Sequence, residues 1–357
     1  MEIKKKILEI VEKMRPRWAF LFVAFFVVIG IVVGSYEMLS KGNNSAAQKE
    51  NSELVAQAAT FSRRMIDGVS NAADVPVVAV MIENAIDARP LSGVARANLV
   101  WEAPVEAGIT RLLALYADDV EVEKIGPVRS ARPYYVDWAE EFRATYAHVG
   151  GSPEALDLIP TRLVNDLNQF WFDQYFWRSK DRFAPHNVYT STELLRASVA
   201  DRPVPIRLND AEPYTGWKFK DDAPADARPE TQECTIVFSS DFYTVNWKYD
   251  QKENIYIRWQ MQKSVRDTDG TSVRAKNIAV MATDISILDS VGRRRVRTTG
   301  EGTAFVIHDG KETKGIWKRE NREARTRFYD ENGDEIEFNA GVTWIEVVPS
   351  DDAVACR

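Results

Sequence analysis

From Trp18 to Tyr36 the chain reads WAFLFVAFFVVIGIVVGSY, nineteen residues without a charge. At about 1.5 Å per helical residue this run spans about 30 Å, the thickness of a bilayer's hydrocarbon core. Trp18 and Tyr36 stand where interfacial aromatics anchor both ends. Lys4, Lys5, Lys6, Lys13, Arg15 and Arg17 precede the run, and Glu37 and Lys41 follow it. The positive-inside rule then makes residues 1–17 a cytoplasmic segment and places everything after the 18–36 helix outside the cytoplasm. The competing reading is a cleaved signal peptide, but the run is long and Ser45-Ala46-Ala47 is a weak cleavage site. No cysteine stands behind the run to carry a lipid. The expectation is a single-pass cell-membrane protein with an extracytoplasmic body.

The composition suits such a body. Of 357 residues, 45% are hydrophobic and 28% charged, which leaves room for two domains and a sizeable core. A net charge of -7 lacks the basic footprint of a nucleic-acid binder. Cys234 and Cys356 fit no zinc or redox spacing. In an oxidising space they could pair, and the sequence leaves that open. His148, His186 and His308 are the only histidines, and there is no His-Glu-x-x-His, glycine-rich phosphate loop or Gly-x-Ser-x-Gly elbow. No metal and no cofactor is expected.

Residues 37–74 are polar and read as a tether, with folded structure from about Val75. Residues 75–205 mix strands and helices. Val75–Ile82 is a continuous apolar run, as in a strand buried on both faces. Leu99–Trp101, Leu112–Tyr116 and Tyr146–Val149 read as further strands, and Pro133–Arg143 as a helix. Ser152-Pro153 opens another helix, Ser as N-cap and Pro at its first position. Residues 206–233, rich in Pro and Asp, read as a connection. Residues 234–349 read as strands and tight turns, with hairpins at Asp309-Gly310 and Asn332-Gly333. Residues 350–357 are a tail. The fold class is α+β: a transmembrane helix, a mixed α/β domain and a C-terminal antiparallel β domain.

The first domain carries dense strings. They include Arg89-Pro90-Leu91-Ser92-Gly93, Glu102-Ala103-Pro104-Val105-Glu106, Gly108-Ile109-Thr110-Arg111 and Ile125-Gly126-Pro127-Val128-Arg129-Ser130-Ala131-Arg132. His148-Val149-Gly150-Gly151-Ser152 and Ala184-Pro185-His186-Asn187 follow, with Gly315-Ile316-Trp317 and Gly341-Val342-Thr343-Trp344-Ile345 in the second part. Together these closely resemble the YerB-like lipoproteins of Gram-positive envelopes, a two-part domain of unknown function, over Val75 to Pro349. The resemblance implies an envelope location and no particular activity. Family members often carry a lipid on a cysteine, where this chain has an apolar run. A fainter resemblance, over about a third of the first domain, is to the LytR-type phosphotransferases, which hold a pyrophosphate with arginines.

The candidate ligand-binding residues are Arg89, Arg111, Arg129, Arg132, His148, Arg178 and Arg182. The arginines fall at turns and strand ends, where guanidinium forks and free backbone N–H groups could clamp a phosphate or carboxylate. Equally, they could pair with Glu83, Glu102, Glu106 and Asp137 and merely fix loops. The candidate catalytic residues are Glu102, Glu106 and His186. Four residues apart on an extended strand, the two glutamates lie about 13 Å apart, beyond the roughly 5–9.5 Å of a glycosidase pair. His186, in a loop after Pro185, could be a general base or a ligand contact. The strand aromatics Trp247, Tyr249, Tyr256, Trp259, Trp317 and Trp344 could stack on sugars but better suit a core. The expected function is binding of a cell-wall glycan or anionic lipid-linked precursor through an arginine-rich cleft. A LytR-like phosphotransfer or glycan cleavage by Glu102 and His186, and a non-catalytic scaffold for wall-synthesis proteins, are the alternatives.

Overall fold

The computed structural model describes residues 63–70, 75–202 and 216–357. The apolar run 18–36 lies outside them, and among the described residues no helix is long and apolar enough to cross a membrane. Arg63–Arg357 is one compact unit.

All seven side chains of β1 (Val77–Glu83) are buried. β3 (Thr110–Ala117) pairs antiparallel on one side and β4 (Thr145–His148) parallel on the other. Both faces are covered, which is why the run does not alternate. β2 (Leu99–Pro104) continues the sheet beyond β3, and β5 (Asn165–Asn168) continues it beyond β4. Strands from the second half of the chain extend the same sheet. Thr343–Val348 lies parallel to β2 on one side and to Asn277–Ala282 on the other. Gly300–His308, Lys311–Arg319 and Arg327–Asp330 follow, each antiparallel to its neighbour. The outcome is a ten-stranded sheet built from both halves. The expectation of a wholly antiparallel second half is corrected here. Thr343–Val348, buried at every residue, satisfies both its edges by parallel pairing.

A separate antiparallel sheet of Glu233–Val237, Thr244–Asp250 and Ile255–Gln260 covers one face of the large sheet. Trp247 and Tyr256 pack there with Trp344, so these aromatics are core and not a sugar platform. The helix Pro133–Glu140 covers the opposite face. Its Trp138 stacks on Trp101 at 4.6 Å between ring centres, and the Tyr134 and Tyr135 hydroxyls donate to Pro104 O and Arg111 O. Ser152 caps the helix Pro153–Leu158, accepting from Ala155 N.

Three local readings change. Folding begins before Val75, because Ile66 joins the core and Arg64 spans Asp67 and Asp119. Asn332-Gly333 does turn, with Tyr329 bridging Glu335, but Phe338 leaves the hairpin to pair parallel with Phe219. The tail is ordered: Val354–Cys356 pairs with Glu233–Val237, and a disulfide joins Cys356 to Cys234 opposite it.

Candidate functional site

β1 ends at Glu83, and the register sets Arg111 of β3 directly across from it. Glu83 Oε2 lies 2.5 Å from Arg129 Nε and 3.7 Å from His186 Nδ1. Glu83 Oε1 accepts the Asn84 and Ala85 backbone N–H groups. Arg129 Nη1 donates to Pro185 O, tying the His186 loop to the strand end. Arg132, at the N-cap of Pro133–Glu140, grips Glu106 with both arms at 2.7 and 2.8 Å. Burial alone would raise the Glu106 carboxyl, but Arg132 holds it below its usual range.

Arg111 sits behind these pairs. Its Nη1 donates to Ser130 O at 2.9 Å and its Nε has no partner. Among the described residues no carboxylate lies within ion-pairing distance of it. Burial, and then the charge of Arg132, pull its guanidinium below the ordinary value. Three guanidiniums therefore face two carboxylates. The open edge of the group is Arg129, Arg132 and His186, with side chains 23%, 13% and 22% exposed.

Glu102 belongs to a different network. It is wholly buried on the face toward the separate sheet. Thr110 Oγ1 donates to its Oε1 at 2.5 Å and Asn84 Nδ2 at 3.1 Å, while Arg258 Nη2 donates to Oε2 at 2.6 Å. The other arm of Arg258 donates to Glu346 Oε1 at 3.0 Å, which also accepts from Trp247 Nε1. Glu346 is the cross-strand neighbour of Glu102. Burial, and then the Glu102 charge, push the Glu346 carboxyl up to about 8, with Arg258 opposing. The shift favours the protonated form of Glu346. Glu102 and Glu106, both candidate catalytic residues, thus lie in different networks, Glu102 with Arg258 and Glu106 with Arg132.

Arg258 also lines a cavity of about 630 Å³ between the loop Asn84–Val94 and the second-half strands. Arg89 lines it too. Its hydrogen bonds go to neutral acceptors, Asn84 Oδ1, Asn84 O, Phe242 O and Met261 Sδ, and its guanidinium lies over the Tyr243 ring. Of the remaining candidates, Arg182 donates to Ala88 O and Pro90 O and so holds the loop that carries Arg89. Arg178 donates to Asn187 Oδ1 at the surface. His148 is fully buried, with Nδ1 2.7 Å from Gly150 O and Nε2 2.8 Å from Asp166 Oδ1. His308 leans on Asp309 beside its turn. The candidates therefore form two neighbouring groups joined through Glu83-Asn84, with His148 and Arg178 outside both. Sequence reasoning missed Arg258, Glu346 and Asp267. The available signal was a lone acid, Glu346, inside the apolar run Thr343–Val348.

Residues 65–205 match the family described as "Protein of unknown function (DUF3048) N-terminal domain", and residues 234–345 match its C-terminal domain. The chain is 30% identical over 290 residues to "Putative lipoprotein YerB" of Bacillus subtilis (strain 168), across 78% of this chain and 82% of that protein. Its fold matches the crystal structure of YerB protein from Bacillus subtilis with a TM-score of 0.72 at 27% identity, over 83% of this chain and 99% of the other.

Proposed function

Because this chain belongs to the DUF3048 family, with both its N-terminal and C-terminal domains, we propose that it is a membrane-tethered envelope protein whose Arg111–Arg129–Arg132 group binds an anion. The ligand class is the phosphate or carboxylate of a wall glycan or of a lipid-linked wall precursor. The relative's description as a lipoprotein supports an extracytoplasmic, membrane-associated place. In this chain the apolar run 18–36 serves as the membrane anchor, residues 37–74 as the tether, and residues 1–17 lie inside the cell.

One observation carries the binding assignment: Arg111 is buried without a carboxylate of its own. A buried charge is costly unless paired. Its field reaches solvent where Arg129, Arg132 and His186 are open, and there an anion meets charge-assisted donors. Glycan cleavage by Glu102 gains no support from this geometry, since that carboxylate is sealed between the sheets. The test uses the detergent-solubilised full chain and, as probes, polyglycerol phosphate, peptidoglycan fragments and polyprenyl pyrophosphate. Arg129→Ala with Arg132→Ala should weaken binding of the preferred probe at least tenfold. Unchanged affinity, or no binding of any probe by the parent chain, would overturn the reading.

A further inference from the structure

Arg89 and Arg258 border a cavity of about 630 Å³. Its volume falls in the range of small-molecule sites. The wall is mainly apolar: Leu91, Val94, Leu112, Val265, Val273 and Trp344. Of these, Val94, Leu112, Val273 and Trp344 are otherwise enclosed by protein. The polar part is cationic on balance. Arg258 is neutralised by Glu102, which leaves Arg89, Lys263 and Arg266 against Asp267.

Burial is the main pull lowering the Arg89 guanidinium from its ordinary value, yet all its hydrogen-bond acceptors are neutral. Among the described residues no carboxylate stands within ion-pairing distance of it. Asp267 is 5% exposed, and its Oδ2 accepts from Ala95 N on the far side of the cavity wall's turn Val94–Arg96. An apolar pocket with a guanidinium that no carboxylate pairs at its polar end is complementary to one kind of molecule.

We propose that this cavity binds an anionic amphiphile, its chain against Leu112 and Trp344 and its charged head on Arg89 beside Lys263. This site is separate from the Arg111–Arg129–Arg132 group and does not depend on it. The shared ligand chemistry is a single apolar chain with a carboxylate or a phosphate at one end.

The experiment uses the full chain in phosphatidylcholine nanodiscs and follows tryptophan quenching by 11-bromoundecanoate, whose bromine quenches on contact with an indole such as Trp344. Its neutral analogue, 11-bromoundecanol, partitions into the same lipid and serves as control. Saturable quenching by the carboxylate is expected. Arg89→Gln should raise its half-saturation about tenfold and leave the alcohol's unchanged. Val94→Phe, which fills the cavity, should abolish the saturable component; should that variant misfold by circular dichroism, the Arg89→Gln comparison decides. Arg129→Ala with Arg132→Ala should leave it unchanged, so failure here and failure of the anion-group reading are distinguishable. Displacement by dodecanoate against dodecyl phosphate identifies the preferred head. Equal binding of acid and alcohol, or an Arg89→Gln variant that binds the acid like the parent, would overturn the proposal.

Discussion

Glu346 lies between Ile345 and Val347 in a strand buried along its whole length, and its carboxyl meets that of Glu102 with one guanidinium to share. The ordinary glutamate value is 4.5 and the folded value about 8. Between those limits the folded state holds a proton that the unfolded chain has released, so stability falls as pH rises through the window. Glu346→Gln keeps an acceptor for Trp247 and offers a donor toward Glu102. Its melting temperature should therefore change less than the parent's between about pH 5 and pH 8, and should be the higher of the two above pH 8. Parallel curves would show that Glu346 does not hold the proton. At this scale the chain was only partly legible. Arg129, Arg132 and His186 could be picked from motifs because each stands in a string with prolines and glycines. Arg258 could not, because its role depends on two glutamates 156 and 88 residues away along the chain.

Elements were legible where local chemistry decides them. Asp309-Gly310 forms a two-residue turn with both backbones in the left-handed region, φ 53° and 71°, and His308 facing Lys311. Asp309 does more than turn the chain. Burial alone would raise its carboxyl, but hydrogen bonds from His308, Lys220, Asn254 and Asn339 hold it far below the usual range. A Cβ on Gly310 would meet the Tyr249 ring at 2.6 Å and Pro229 at 2.7 Å. Gly310→Ala is therefore expected to cost about 1–3 kcal/mol, read as a lower denaturant midpoint with an unchanged slope. The strand Ile255–Gln260 shows the opposite case. Its alternation is visible in the sequence, but the inward set is Tyr256, Arg258 and Gln260, and the half-buried set is Ile255, Ile257 and Trp259. Periodicity fixes which residues share a face, not which face is buried. The buried carboxylates of the facing sheet decide that here.

For the whole molecule, the two family domains are separate in sequence yet meet in one sheet, because the last large strand pairs with β2. No pairing of this kind could be read from either half alone, since strand order is set by contacts between distant segments. The disulfide adds a constraint at this scale. It joins residues 122 apart and fastens the tail strand to the separate sheet. Cys234→Ala with Cys356→Ala should lower the unfolding free energy by about 2–5 kcal/mol, and the parent in strong reductant should show the same shift; a midpoint insensitive to both would show that the tail contributes nothing. The place of Thr343–Val348 has a consequence for the order of events in a cell. That strand is synthesised after all its partners in the large sheet but belongs near the middle of it. Until it emerges, β2 and Asn277–Ala282 each present a bare edge to whatever passes. Translation that halts a few codons short of it would yield two adhesive half-sheets in place of a slightly smaller protein.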